Sequence, residues 1–398
     1  MDIKEKINTI SAKLFDQIVE VRRHLHAHPE LSQQEKKTAA YICEFLKKVG
    51  IPYKTFDKHY GILGTLEGTQ PESKVVALRA DMDALPIHEH NKTSYTSQNK
   101  GVMHACGHDV HTAALLGVAT ILNNLKKYYS GTVKLIFQPS EEMYPGGASM
   151  MINDGVLENP KVDVIIGQHV LPSIDSGKIG FRQGMAMAST DEVYITVTGK
   201  GGHAATPDLN NDPVVSASHI ILALQQVVSR IAPPKTPTVL SFGRFIADGK
   251  MNIIPDKVTI EGTIRTFNEA WRKEAHEHLK RITTSVANAY NTKANVRIEK
   301  GYPALVNHPE LTKRCTEAAA EIIGKDHIET LDIRMTAEDF AYYAQLIPAC
   351  FYRLGVRNEE KDIISNLHTD TFDIDEKALL TAMRSMSWIA YKELIPNP

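Results

Sequence analysis

The chain has 398 residues, 42% apolar and 23% charged, with a formal net charge of -2 and four cysteines. That length exceeds one ordinary core, so two domains are expected, and the composition is that of a globular protein. The charge gives no general attraction to nucleic acid or an anionic membrane, no 18 consecutive residues are apolar enough to predict a membrane span, and the cysteines are too few for a disulfide framework.

The opening "MDIKEKINTI" is charged and mixed, without the apolar centre of a secretion signal, so a cytoplasmic location is the default expectation. Ile3, Ile7, Ile10, Leu14, Ile18 and Val21 recur at helical spacing. A second helix is predicted over 35–49, stopped by Gly50. "KVVALRA" (74–80), "TVKLIFQ" (132–138) and "VDVIIGQ" (162–168) read as buried strands, with a helix over 110–128 between the first two. Strands alternating with helices predict an α/β fold with a mostly parallel sheet. After about residue 183 the order changes: strand "DEVYITVTG", helix 213–231, strands "TVLSFGRF" and "KVTIEGTIRTF", helix 268–290 and strand "ANVRIEK". This βαββαβ order predicts a ferredoxin-like domain inserted over 184–300. It would divide the first domain into 1–183 and 301–398, whose returning helix–strand–helix pattern completes the sheet.

Residues 103–111, "MHACGHDVH", gather three histidines, a cysteine and an aspartate. Cys106 is either a nucleophile flanked by histidine bases or one ligand of a metal site whose other ligands lie elsewhere. More polar groups fall at predicted strand ends, where α/β sheets keep their functional residues. Asp81 and Asp83 follow the first buried strand, "QPSEE" follows the second, His169 ends the third, and His368 stands in "LHTDTF" near the C-terminus. Adjacent glutamates point in different directions, so one of Glu141 and Glu142 can bind a metal while the other faces substrate. A metal lowers the pKa of bound water to about 7, and a nearby carboxylate then collects its proton. An aspartate such as Asp83 could orient a ligand from behind.

Other polar stretches read more simply. In "GKGGHAATP", His203 could donate to an oxyanion, although a tight turn accounts for the glycines equally well. His24, His26 and His28 in "RRHLHAHPE" read as a solvated helix end, because no glutamate lies between them in the right register and Pro29 ends the helix. His88 and His90 read as exposed loop residues, and "EAWRKEAHEHLKR" as a wet helix face. Cys43, Cys315 and Cys350 read as buried inert thiols.

In order, "RADMDALP", "HACGHDVHTA", "FQPSEE", "GGHAATP", "NIIPD", "GTIRTF" and "LHTDTF" resemble the hippurate hydrolase and N-acyl-amino-acid amidohydrolase branch of the dinuclear aminoacylase/carboxypeptidase family. The resemblance runs from about residue 20 to 375. It implies a metal-binding catalytic domain, an inserted lid domain that dimerises, and two divalent ions per subunit, for which zinc, manganese, nickel and cobalt are all candidates. It places Cys106, His108, Glu142, His169 and His368 at the ligand positions, with Cys106 as the bridge. Glu141 takes the general acid/base position and Asp83 the supporting one, while Asp81 stands where other branches place a ligand histidine. His104 and His111 are then supporting rather than ligating. His203, Asn252 and Arg265 match lid positions that reach substrate, in several members across a homodimer. The implied reaction is amide hydrolysis of a small N-acyl amino acid by a metal-bound hydroxide. Ser140, Ile253 and "HTDTFDID" depart from the usual pattern without removing a ligand. Rival readings are an exopeptidase on the same fold, metal-free thiol hydrolysis at Cys106, and a silent binding protein.

Overall fold

In the computed structural model, which describes residues 2–395, the chain forms two compact units. One comprises the residues up to Gly184, Val306–Asp332 and those from Asp339 onward; the other is Met185–Leu305 with Ile333–Glu338.

The first unit is built on an eight-stranded sheet. Its order is Tyr53–Thr55, Ile62–Glu67, Thr132–Gln138, Val75–Asp81, Val164–Asp175, Ala349–Arg357, Ile179–Phe181 and Ile328–Thr330. The sheet is mixed, with four of its seven neighbouring pairs parallel. Its four central strands run parallel, while the first two strands join antiparallel and Ile179–Phe181 returns antiparallel to Ala349–Arg357. Chain length explains the return. Only the turn 176–178 separates Ile179–Phe181 from the strand before it, and a parallel crossover needs a dozen or more residues.

Val75–Asp81 and Thr132–Gln138 are buried at every residue, as strands covered on both faces must be. One cover is the helix His108–Leu125, which is buried nearly all round and packs against the helices Ile3–Ala27 and Ala378–Leu394. The first of these starts with a capping box between Asp2 and Glu5. Val75–Asp81 lies between its successor Thr132–Gln138 on one side and Val164–Asp175 on the other. Strand order therefore reverses there, and the carboxyl ends of the strands open a crevice beside it.

The second unit has an antiparallel four-stranded sheet in the order Thr238–Ala247, Lys257–Thr266, Asp191–Thr198 and Lys293–Lys300. The helices Pro213–Gln226 and Glu269–Ala289 share its core. Asp212 caps the first helix, accepting from Val214 N and Val215 N with Pro213 at the first position. The helix 213–231, with a mean hydropathy of 1.4, is long and apolar enough to cross a membrane by length and composition alone, a test that core helices also pass. However, Ala217, Ile220, Leu224 and Val227 are fully buried within the unit's own core. The charged helix is not simply wet either: Trp271, Arg272, Ala275, His276 and Leu279 form a buried stripe.

Candidate metal centre

Every proposed ligand belongs to the first unit. The chain reaches Cys106 in a turn that ends at Gly107, whose φ of 80° is left-handed, and His108 is the first residue of the following helix. Any side chain at 107 would also meet Val170, since a Cβ would stand 2.5 Å from Val170 Cγ2. From the far end of the sequence, His368 N donates to the Ala105 carbonyl at 2.8 Å and fixes the two loops together. Cys106 Sγ then lies 3.4 Å from His169 Nε2 and 3.3 Å from His368 Nε2, and the latter is 3.2 Å from Glu142 Oε1. Ligand atoms of Cys106, His108 and His169 form one close triad, and those of Cys106, Glu142 and His368 form another. Cys106 belongs to both.

The histidine tautomers follow from their partners, because a carbonyl oxygen can only accept. His108 Nδ1 donates to Asp83 O at 2.9 Å, and His169 Nδ1 donates to Val170 O at 2.8 Å. Each therefore turns Nε2 inward, the atom that would ligate a metal. His108 Nε2 is buried with no hydrogen-bond partner, its neighbouring carboxylate oxygen, Asp81 Oδ2, being 3.7 Å away. Asp83 supports the site from behind: Oδ2 accepts from Ser32 Oγ at 2.7 Å and from Glu142 N at 3.0 Å.

His111 is closed to a metal. Its Nε2 accepts from Val170 N at 2.9 Å, so Nδ1 donates to Asp81 Oδ1 at 2.5 Å. Arg79 holds the other Asp81 oxygen at 2.6 Å. Arg79 also donates to Gln138 and Asp339, and Asp339 N lies 3.5 Å from Glu141 Oε1. His104 is buried with neither ring nitrogen hydrogen-bonded.

The electrostatics call for a cation. Burial, followed by the carboxylates of Glu142, Glu141 and Asp81, pushes the Cys106 thiol well above its usual range. A thiolate bridge there requires positive charge at the sulfur. Burial alone would lower the His108 pKa, but Asp81, Asp83 and Glu142 outweigh it and raise the value to about 10. For His169, burial and then Arg353 and His111 keep the ring neutral. The unpartnered Nε2, the shared thiol and the gathered carboxylates thus fit divalent ions of borderline softness.

The lid candidates lie in the second unit. His203 pairs with Ile253 in a two-stranded ribbon, and Ala204 N donates to Asn252 O at 3.1 Å, so His203 and Asn252 are neighbours. His203 Nδ1 accepts from Ala205 N at 3.0 Å, which leaves Nε2 to carry the proton. Both side chains are exposed. Arg265 stands apart from this pair, on the strand Lys257–Thr266, and donates to Met335 O at 3.0 Å.

Residues 77–392 match the model of peptidase family M20/M25/M40. The chain belongs to that family. Among family relatives, the N-acyl-L-amino acid amidohydrolase of Geobacillus stearothermophilus is 41% identical over 77% of this chain and 82% of its own. The N-acetyl-L-cysteine deacetylase of Bacillus subtilis is 38% identical over 96% of this chain and 89% of its own. A solved M20 structure, the Bacillus subtilis YXEP protein, described as a dinuclear metal-binding peptidase, is similar with a TM-score of 0.83 and 33% identity, covering 96% of this chain and 99% of that one.

Several supporting residues were not singled out in the sequence: Ser32, Glu35, Arg79 and Asp339. Arg79 alone carried a signal, as a charge flanked by apolar residues within a strand. The expected solvated helix end is also corrected. His24 is exposed, but His26 is fully buried, with Nδ1 2.8 Å from Asp109 Oδ2 and Nε2 3.1 Å from Glu89 Oε1.

Proposed function

We propose that the chain is a metal-dependent amidohydrolase that cleaves the amide bond of small N-acyl amino acids, releasing a carboxylic acid and a free amino acid. The observation that carries this is the convergence of two ligand triads on Cys106, beside a second buried carboxylate at Glu141. Cys106, His108, Glu142, His169 and His368 would hold two divalent ions, whether zinc, manganese, nickel or cobalt, with Cys106 the residue common to both triads. When bound, such ions acidify water and polarise a carbonyl. Glu141 accepts the proton of the attacking water and returns it to the leaving nitrogen. Asp83 orients His108 and holds the Glu142 backbone. His203 donates from Nε2 to the developing oxyanion, and Asn252 and Arg265 contact the substrate.

The second unit acts as a ferredoxin-like lid and dimerisation domain. Its helix 213–231 leaves Val215 and Leu222 exposed, and its edge strand leaves Phe245 and Ile246 exposed. An apolar outer face of this kind, on a helix whose inner face already covers a sheet, suits a second copy of the chain better than a bilayer. The four free thiols fit a reducing cytoplasm.

The test is hydrolysis of N-acetyl- and N-benzoyl-amino acids beside free dipeptides, with and without a chelator. Turnover of the acylated substrates that stops on chelation and returns with added divalent metal is expected. Glu141→Gln should lower kcat roughly 10²–10⁴-fold with metal content unchanged. Chelator-resistant turnover, or metal lost with Glu141 rather than Glu142, would reverse these roles.

A further inference from the structure

Immediately before the glutamate pair, Ser140 holds φ at 54°, a left-handed conformation that residues with a side chain rarely adopt. Opposite it, Gln33 holds φ at 63°. Such outliers persist only where their surroundings enforce them, and they gather at functional sites. Here the enforcing contacts are explicit. Ser140 N donates to Glu35 Oε1 at 2.8 Å, and Ser140 Oγ donates to the same oxygen at 3.2 Å. Gln33 N in turn donates to Ser140 Oγ at 2.9 Å. On the far side of the loop, Gly147 N donates to Ser140 O at 3.0 Å, and a Cβ at 147 would stand 1.6 Å from Pro139 O, so this turn closes only on glycine.

Glu35 is not occupied with capping its own helix. It occupies the N-cap of the helix Lys36–Lys48 but makes no side-chain cap, because Glu30 Oε2 already accepts from Lys37 N and Thr38 N. It is fully buried, and that burial raises its carboxyl to about 7. A carboxylate kept inside at such cost is expected to serve the groups it touches. Ser32, three residues earlier, donates to the Asp83 oxygen that also accepts from Glu142 N. One short segment therefore grips both the residue before the glutamate pair and the carboxylate beneath its second member.

We propose that Glu35 is a positioning residue that locks Ser140 in its left-handed turn, and thereby aims Glu141 and Glu142 at their separate tasks. This rests on the roles given to those two glutamates above. Glu35→Ala or Glu35→Asp releases Ser140 N and Oγ, and the loop relaxes towards a right-handed or extended turn. The expected result is a kcat lower by roughly ten- to a hundredfold, since a small misplacement is enough for such a loss, with KM little changed. Metal should also be retained less well against a competing chelator. Glycine adopts positive φ without steric penalty. Adding Ser140→Gly to either variant should therefore restore most of the kcat and the metal retention, which refilling a cavity or a lost core contact would not do.

The measurements are kcat, KM, metal content by elemental analysis and far-ultraviolet circular dichroism on the full chain. If Glu35→Ala fails to fold, Glu35→Asp, which keeps the charge and shortens only its reach, carries the comparison. Wild-type kcat in a folded Glu35 variant, or no rescue by Ser140→Gly, overturns the proposal. Glu141→Gln is the control that separates the two readings. If it stays active, the role of Glu141 fails first; if it is inactive while Glu35 variants behave as wild type, only the positioning role fails.

Discussion

Two buried charged clusters adjoin at the start of the helix His108–Leu125, and they are built on opposite plans. Around Asp109, Arg22 donates from Nε to Asp109 Oδ2 at 2.8 Å and from NH2 to Asp373 Oδ1 at 2.8 Å, and His26 bridges Asp109 to Glu89. Arginine stays protonated in proteins, so the chain supplies its own counter-charge. Around Cys106, two residues before His108 along the chain, a thiol, imidazoles and a carboxylate converge instead. The sulfur meets His169 Nε2 and His368 Nε2, and His108 Nε2 has no hydrogen-bond partner. Both clusters shift pKa values strongly, so a shifted pKa does not by itself distinguish them. What distinguishes them is whether the protein completes the charge balance or leaves it to an ion from solution.

The largest effect should come from opening the self-balanced cluster. Arg22→Met leaves Asp109 buried against an apolar side chain, and such broken pairs typically lose about 3–5 kcal/mol. Urea unfolding should show that loss with and without chelator, while the folded fraction binds metal as before. A loss below about 1 kcal/mol would mean that water or a relaxed backbone already screens Asp109, and the contrast between the clusters would weaken.

Cys106→Ser should give the reverse pattern. Removing even supporting partners of metal ligands weakens binding about 10–100-fold, so losing the residue proposed to serve both triads should weaken it by more than about a hundredfold. The stability of the metal-free protein should change by no more than about 1 kcal/mol. Cys106→Asp should regain part of the loading, and Cys43→Ser, Cys315→Ser and Cys350→Ser should keep all of it. Competition against a coloured chelator reads this directly, and a fully loaded, active Cys106→Ser protein would remove the thiol from the site.

The smallest effect concerns another arginine-closed cluster, in the second unit. Asp191 accepts from Arg272 Nε at 2.8 Å and lies 2.6 Å from His276 Nε2. Burial would raise its pKa, but these partners outweigh burial and hold it below 3.8. A folded value below the unfolded one gives stability that is complete above the unfolded pKa and disappears as pH falls through the folded one. Asp191→Asn should therefore be less stable than wild type by about 1.5 kcal/mol at pH 7. That gap should close as the pH falls below about 3.8. A gap that persists unchanged at pH 2 would mean that shape, not charge, holds the cluster.

What could be read in the sequence follows from how local each signal is. The strand Thr132–Gln138 and the helix Glu269–Ala289 announce themselves by apolar runs and helical spacing, and both were expected within a residue of their observed limits. Ile62–Glu67 is only six residues long, and Gly64 and Thr65 interrupt its apolar run; its place is set by pairing with Thr132–Gln138, far along the chain. His26 could not be recognised as buried, because its partner Asp109 arrives from a distant helix. The family motifs were visible as an ordered resemblance, whereas Glu35 and Asp339 make contacts that no local spacing encodes. Arg79 is legible in the sequence itself, since a buried arginine in a strand demands partners.

The order of the strands also sets an order in time. Residues 185–305 are contiguous and close their own sheet, whereas Val164–Asp175 must wait for Ala349–Arg357 to cover its open edge. At ordinary rates of synthesis that wait lasts on the order of ten to forty seconds. Throughout it, an apolar parallel edge stands unpaired in the nascent chain. Cys106, His108, Glu142 and His169 leave the ribosome early, and His368, whose backbone fastens the Cys106 turn, leaves among the last. The proposed donor set is therefore complete only when the sheet itself is finished, and a metal ion captured before that moment would be held by an unfinished site.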